Sequence, residues 1–488
     1  MPTIGREERA SVDFDSYNLD PAIYDEMFLP DGTPREHCRE LYNTLLGLTV
    51  EEVSTMQERV TRSFSNEGIS FKVYGEDQEE ERIIPVDCLP RIVSAEDWSL
   101  LERGLAQRLK TLNLFLEDVY NDARIIRDGV IPEDVVTECP HYRRELKGFS
   151  APQGAWAVIC GTDVVRTNDG FHILEDNLRV PSGMSYMIAN RKAIKATMRR
   201  LFRTSRVYGV ERYGETLLTT LRELAPEGVT YPAIALLTPG VYNSAFYEHM
   251  FLAHELGAEL VEGRDLLVEG GYVYMRTSQG LRRVDIIYRR VDDDFLDPLV
   301  FRQDSMLGVP GLLDVYKRGN VTLANAPGTG VADDKSVYAY VPDMMRYYLG
   351  EEPLISNVET YLCRRPRDLE YTLDNMQDLV VKRVGESGGY GMIVGPHATP
   401  EERADYAVQL RANPADFISQ PVLSLSRSPC LVDGHFEPRH VDLRPFVLQG
   451  QVNRVVTGAF CRVALRRGSL VVNSSQGGGG KDVWVLEG

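Results

Sequence analysis

Residues 173–183 read Ile-Leu-Glu-Asp-Asn-Leu-Arg-Val-Pro-Ser-Gly, and the reading of this stretch decides the fold. The run His172-Ile173-Leu174 ends at a carboxylate and an amide, Glu175 and Asn177. Two residues apart on an extended segment, these side chains point to the same face. Asp163 lies upstream, across a polar turn at Thr167-Asn168-Asp169-Gly170. The pattern predicts a hairpin, 157–165 against 171–174, that brings Asp163 beside Glu175 and Asn177. Three hard oxygen ligands, with positions left open for phosphates and water, suit Mg²⁺ better than a softer metal. A polar turn with an Asx cap before Pro181 fits the same residues, so the stretch alone leaves both readings open.

The length, 488 residues, suits about three domains or one large multi-lobed enzyme. A net charge of -18 argues against non-specific binding to nucleic acid or an anionic membrane. No apolar stretch approaches membrane-spanning length, and the N-terminal residues contain no apolar core of a signal peptide. The seven cysteines are scattered, odd in number and without CxxC spacing. They read as reduced packing residues of a cytoplasmic protein.

Working outward, residues 1–30 are expected to form an extended arm, and 34–66 one or two helices. Residues 70–74 and 82–86 read as strands around an acidic turn. Residues 94–120 carry the clearest helical signal: Ser94 as N-cap, an acidic first turn, and Leu101, Leu105, Leu109, Leu112 and Leu116 on one stripe. This region is expected to be an α+β cap. Residues 185–203 predict a basic helix with a solvated face. From Tyr231 onward, strand, turn, helix and strand predict a small α/β domain with a parallel sheet over about 225–325. Such sheets bind ligands beyond the carboxyl ends of their strands. Thr238 to Asn243 and Tyr288-Arg289-Arg290 are therefore candidates for substrate contact, with ordinary loop chemistry as the alternative. Asp292-Asp293-Asp294 is expected to be a solvated turn or helix start, because three adjacent aspartates on a strand cannot face one ion.

Residues 378–396 read Asp-Leu-Val-Val-Lys-Arg-Val-Gly-Glu-Ser-Gly-Gly-Tyr-Gly-Met-Ile-Val-Gly-Pro. The glycine-rich loop 385–391 joins strand to strand, whereas a Walker loop or dinucleotide fingerprint needs a helix after its glycines. A glycine hairpin can still fold over phosphates with its free N–H groups as donors, Lys382 adding positive charge. Asp333-Asp334-Lys335 is expected to open a helix and to supply a second lysine. Residues 417–423 read as a strand leading to a linker. Residues 440–448 alternate like one strand with Asp442 and Arg444 on one face, and Arg462 and Asn473 follow on later strands.

Taken together, these residues resemble the ATP-grasp superfamily of carboxylate–amine ligases. There, two lysines, a glycine-rich flap, an adenine hinge and basic strands precede an aspartate and a terminal E-x-N. Here the E-x-N comes first, and the chain ends soon after Asn473 and its glycine run. Circular permutation reconciles the two orders. The phrases Gly-Val-Tyr-Asn-Ser-Ala (240–245), Gly-Thr-Gly-Val-Ala-Asp-Asp-Lys (328–335), Arg-His-Val-Asp-Leu-Arg-Pro-Phe (439–446) and Val-Asn-Ser-Ser-Gln-Gly-Gly-Gly (472–479) resemble the circularly permuted type 2 ATP-grasp family, related to glutathionylspermidine-synthase-like proteins. The resemblance covers roughly residues 20–488. It implies an α/β and α+β multi-lobed fold with an N-terminal arm and cap (1–125), the permuted metal-binding part (126–224), a small Rossmann-like pre-ATP-grasp domain (225–325) and the nucleotide-binding lobes (326–488).

It further implies ATP and one or two Mg²⁺ as cofactors. Lys335 and Lys382 would hold the phosphates, and the flap Gly385, Ser387, Gly388, Gly389, Tyr390 and Gly391 would close over them. Gln420, Val422 and Leu423 would take the adenine, with Gln420 standing where the superfamily often has an acidic residue, and Asn473 would add a further ATP contact. Asp163, Glu175 and Asn177 would hold the metal, while Arg444 and Arg462 would join Lys382 in catalysis. Tyr242, Asn243, Ser244, Arg289 and Arg290 are the candidate substrate contacts. The implied activity is amide or peptide bond formation through an acylphosphate, with small-molecule or peptide carboxylate and amine substrates. An ATP-binding scaffold acting on a protein partner is the competing class. A dikinase would need a phosphohistidine domain, and a NAD enzyme is disfavoured by the strand-to-strand glycine loop.

Overall fold

A computed structural model describes residues 11–74, 79–385, 391–469, 472 and 478–488. Its central sheet is assembled from both halves of the chain. The strands run Ser356–Asn357, Gly170–Asn177, Ile159–Thr167, Arg444–Gln449, Asn453–Val463 and Gly479–Lys481 across six positions. The hairpin anticipated from the 173–183 stretch lies within it, and Asp163 pairs directly with Glu175. Its other neighbour comes from near the end of the chain: Phe446 lies opposite Gly161, antiparallel. Strands separated by nearly 300 residues are thus adjacent, which is what permutation of a sheet requires. Where one strand is expected over 440–448, the chain forms two, His435–His440 and Arg444–Gln449. The first pairs with Arg427–Val432 in a separate hairpin, and the second enters the large sheet.

A second, antiparallel sheet holds Tyr361–Leu362, Phe417–Pro421, Leu379–Arg383 and Ile393–Val394. Val381 pairs with Ile393, so the glycine loop does run from strand to strand. The third sheet is parallel, in the order Thr322–Ala324, Ile286–Arg289, Ile234–Leu237, Glu259–Val261. The helix Phe246–Leu256 follows its third strand in that order. Sequence reading finds three of these strands. It misses Thr322–Ala324 and the antiparallel ribbon Leu266–Glu269, Tyr272–Thr277 and Gly280–Val284, whose Arg282 and Arg283 break the apolar pattern.

The 26-residue helix Ala95–Tyr120 behaves as its sequence directs: Ser94 Oγ accepts from Asp97 N, and its leucine stripe is buried. Arg108 departs from that stripe for a reason. Only 2% exposed, it donates from Nε to both oxygens of Asp176 at 2.8 Å and from Nη1 to Asn357 Oδ1 at 2.7 Å. Asp176 sits between Glu175 and Asn177 but faces the other side of the sheet. This pair therefore fixes the hairpin against the helix while its neighbours face the opposite way. The basic segment 185–203 becomes two helices, Met184–Thr197 and Arg199–Thr204, and its face is not wholly solvated. Arg191 is buried on Asp482, just before the last strand Val483–Val485, which pairs with Arg91–Val93. The aspartate triplet starts the short helix Asp293–Leu296 as expected, yet Asp293 is buried on Arg289 and Arg143.

Among the described residues no helix is long and apolar enough to cross a membrane. Removing one partner of a buried ion pair strands the other. Arg108→Leu is therefore expected to lose about 3–5 kcal/mol, read as a lower denaturation midpoint in guanidinium. Glu175→Gln should leave that midpoint within about 1 kcal/mol of the parent, since Glu175 lies on the accessible face. An unchanged midpoint for Arg108→Leu would remove this pair as the anchor of the hairpin.

Candidate active site

Asp163 is 1% exposed and sits on the face that Glu175 shares. Arg444 donates to it twice, from Nε at 2.5 Å and from Nη2 at 2.8 Å, and Arg462 Nη2 adds a third bond at 2.7 Å. Burial alone would raise its pKa; the two guanidinium groups overcome that and hold the carboxyl well below the usual range. Arg462 is itself held by Asp442, whose Oδ2 lies 2.9 Å from Nε. Asp442 stands in the break between the two strands that were expected to be one. That break turns it onto Arg462 while Arg444 reaches Asp163.

Glu175 pairs with Asp163 directly across the two strands. Its pKa is raised, first by burial and then by the charge of Asp163. Lys335 and Lys382 oppose that shift, and Lys335 Nζ stands 4.0 Å from Glu175 Oε2. Lys335 opens the helix Lys335–Tyr338, with the Asp334 side chain capping Ser336 N and Val337 N, as the sequence predicts. Lys382 comes from the antiparallel sheet. Its Nζ donates to Gln420 Oε1 at 2.7 Å, and Gln420 Nε2 donates to Thr360 Oγ1 at 2.9 Å. Burial pushes the Lys382 ammonium down to about 8, with Lys335 adding to the effect against Glu175 and Asp163. Two lysines, one from a helix start and one from a strand, thus act on one carboxylate pair.

The donor set suits a hard cation. Glu175 is 29% exposed in its side chain, and the Asn177 amide donates to Gly161 O at 3.1 Å, which leaves its Oδ1 as an acceptor. Two paired carboxylates, one with its pKa raised by burial and by the charge of the other, form a place that a divalent cation would relieve. Among the described residues no group of three His, Cys, Asp or Glu could hold a metal, so the Asn177 oxygen is needed to complete this set. Taking Arg444, Arg462, Lys335 and Lys382 against Asp163, Glu175 and Asp442, cations outnumber carboxylates by one, a balance that favours a polyanionic ligand.

The remaining expectations divide. Gly385 and Gly391 flank the glycine loop, while Ser387, Gly388, Gly389 and Tyr390, like Asn473, lie outside the described residues. The Gln420 side chain is engaged with Lys382, and Val422 N donates to Asp378 O at 3.3 Å at the strand end. Tyr242 is 82% exposed on the loop after Ile234–Leu237, with Asn243 and Ser244 beside it; Asn243 Oδ1 accepts from Ala245 N. Arg289 is wholly buried and donates to the carbonyls of Asn325, Val291 and Ala326, so it braces the end of its own strand. Arg290 is also buried, on Pro181 O, Ser182 Oγ and Glu248. Sequence reading assigns no role to Thr360, Asp442 or Glu248. Only Asp442 carries a signal there, by alternating with Arg444.

Comparison with known proteins identifies the fold. The family model described as circularly permuted ATP-grasp type 2 matches residues 90–464. An uncharacterized protein of Synechocystis is 52% identical over 96% of this chain and 98% of its own length. One from Mycobacterium tuberculosis is 46% identical over 99% of this chain and 87% of its own. A Frankia alni protein, named as a candidate glutamate–cysteine ligase, is 42% identical over 95% of this chain, which spans only 54% of that relative. Among solved structures, a glutathione synthetase-like effector from Globodera pallida superposes with a TM-score of 0.57, covering 88% of this chain and 96% of its own, at 11% identity. That likeness speaks to the fold alone. The chain belongs to the circularly permuted ATP-grasp type 2 family, an ATP-binding ligase fold.

Proposed function

We propose that this protein joins a carboxylate to an amine at the expense of ATP, through an acylphosphate, with Mg²⁺ required. The observation that carries the reading is the convergence of Lys335 and Lys382 on Glu175, beside an Asp163 held by Arg444 and Arg462. In this reading, Asp163, Glu175 and Asn177 hold one or two Mg²⁺, which neutralise phosphate charge when bound. Lys335 and Lys382 hold the phosphates and orient the γ-phosphoryl, and the adenine lies along 420–423.

A substrate carboxylate oxygen bonds to the γ-phosphorus as the bond to the bridging oxygen of ADP breaks. The amine then attacks the acyl carbon, inorganic phosphate leaves, and the amine loses one proton. Both steps bring anions together, so the work of this chain's residues is to position them and offset their charge. No side-chain nucleophile is needed. Arg444 and Arg462 keep Asp163 ionised and leave donors near the transferring group. The Frankia name supports amino acids or short peptides as the substrate class, with the small parallel sheet and its 238–245 loop as the pre-ATP-grasp substrate domain. The seven free, buried cysteines support a reducing, cytoplasmic setting.

The test is ADP release with Mg-ATP across pools of amino acids, short peptides and polyamines. One pool should stimulate turnover, and Glu175→Gln and Lys382→Ala should each lower it by about 10³-fold or more while remaining folded by circular dichroism. Turnover like the parent's in either variant would sink the site assignment. ATP binding without turnover in any pool would favour a scaffold acting on a protein partner.

A second expectation concerns pH. With Lys382 pushed down to about 8, its ammonium is lost as pH rises through that value, whereas bound phosphates favour the charged form. ATP binding should therefore take up a proton in mildly alkaline solution. Affinity should weaken from about pH 8 to 9.5, approaching tenfold per pH unit at the upper end. Titration calorimetry in buffers of different ionisation enthalpy reads both effects, and Lys382→Arg should abolish them. A flat profile in the parent would contradict the assignment of Lys382 to the phosphates.

A further inference from the structure

The segment Pro181-Ser182-Gly183 joins the strand Gly170–Asn177 of the central sheet to the helix Met184–Thr197 and is contacted there by Glu248 and Arg290 of the small parallel-sheet unit. It cannot move far on the sheet side. Gly183 has φ of +124°, and a Cβ there would stand 3.0 Å from Phe460 Cδ1 and 3.2 Å from Phe446 Cζ. It opens the 14-residue helix Met184–Thr197 without any side-chain cap of its own. The first N–H groups of a helix need an acceptor and favour a negative charge. Glu248, from the helix Phe246–Leu256 of the other unit, supplies it. Its Oε2 accepts from Gly183 N at 2.8 Å, Ser185 N at 3.1 Å and Ser185 Oγ at 3.0 Å.

Glu248 is wholly buried, and its other oxygen takes Arg290 Nη2 at 3.1 Å. Arg290 in turn donates to Pro181 O and Ser182 Oγ, each at 2.5 Å. The turn is thus gripped from both ends by one ion pair. Its exposed side leads to the chemistry: Arg444 Nη1 reaches Ser182 O at 3.3 Å while Nε and Nη2 hold Asp163. The next residue of the gripping helix, His249, contacts Thr238 Oγ1 through Nδ1 at 2.9 Å, at the root of the 238–245 loop. Adjacent residues of one helix therefore hold the candidate substrate loop and the turn beside Arg444.

We infer that Glu248 and Arg290 are positioning residues, a clamp that sets the 238–245 loop against the phosphoryl-transfer site by fixing Ser182 and hence Arg444. This rests on the ligase reading for its effect on rate but not for the grip itself. Neither residue touches the reacting atoms. Their loss should therefore lower the rate of the chemical step more than it weakens ATP binding.

The experiment uses the full chain and the variants Glu248→Ala, Glu248→Gln and Arg290→Lys. Hydrogen exchange of peptides covering 181–187 is read beside that of the helix 95–120, together with ADP release kinetics. Expected for Glu248→Ala is a rise of about tenfold or more in exchange at 181–187, with 95–120 unchanged. Its kcat should fall by about tenfold or more while KM for ATP stays within about threefold. Glu248→Gln keeps an acceptor for the two N–H groups and should recover part of both effects, and Arg290→Lys should lie between. Unchanged exchange at 181–187 in all three variants would overturn the clamp. So would faster exchange everywhere with kcat and stability falling together, which marks an ordinary buried pair, or a local rise with kcat unaltered. A parent protein that turns over no ATP would fail the ligase reading, while the exchange arm would still decide the grip.

Discussion

A nearly unexposed carboxylate, Asp163, accepts from two arginines that follow it by 281 and 299 residues, and the candidate site depends on that contact. An ionised carboxylate at this depth is costly unless its charge is met. Arg444 and Arg462 meet it, and Asp442 and the Ser182 carbonyl orient them in turn. The hairpin that carries the E-x-N can thus be placed at the start of the chain and still be completed by strands near its end. The sheet pairing of Phe446 with Gly161 and the ion pairs of Asp163 are two aspects of one closure.

That closure sets the electrostatics. Glu175 is desolvated and also set against a carboxylate that stays ionised, so its own pKa rises. The lysines that approach it are partly desolvated, so Lys382 falls. Such opposed shifts in neighbouring groups are common where a site is built to receive further charge. Asp176, between Glu175 and Asn177 in sequence, faces the other way and anchors the hairpin through Arg108. A single three-residue stretch therefore divides its labour by the alternation of a strand.

The junction between the central sheet and the small parallel sheet is built from charge as well as packing. Arg289 braces the end of its strand on the carbonyls around Asn325, whose side chain in turn bonds Val158 N, Ile159 N, Ile159 O and Leu178 O. Arg290 and Glu248 grip the turn beyond the E-x-N. Buried main-chain groups at such a junction must find partners, and side chains from the other unit provide them. The two sheets are thereby registered to one another beside the candidate site.

Local rules made much of this legible. Alternation placed Glu175 and Asn177 on one face, and the polar turn located the hairpin that brings Asp163 to them. The capping residues Ser94 and Asp334, the strand-to-strand glycine loop and the parallel strands from 234, 259 and 286 follow from periodicity, caps and turn chemistry, which act within a few residues. Chain order made the permutation legible before any contact was known. What tertiary structure alone decided is which charges meet. No spacing in the sequence tells that Arg289 turns inward to carbonyls, that Asp293 is buried on two arginines, that Gln420 lies on Lys382, or that Glu248 caps a helix in another unit. Burial makes an unmet charge costly, and the partner that meets it is whichever side chain the packing of distant segments brings within about 3 Å.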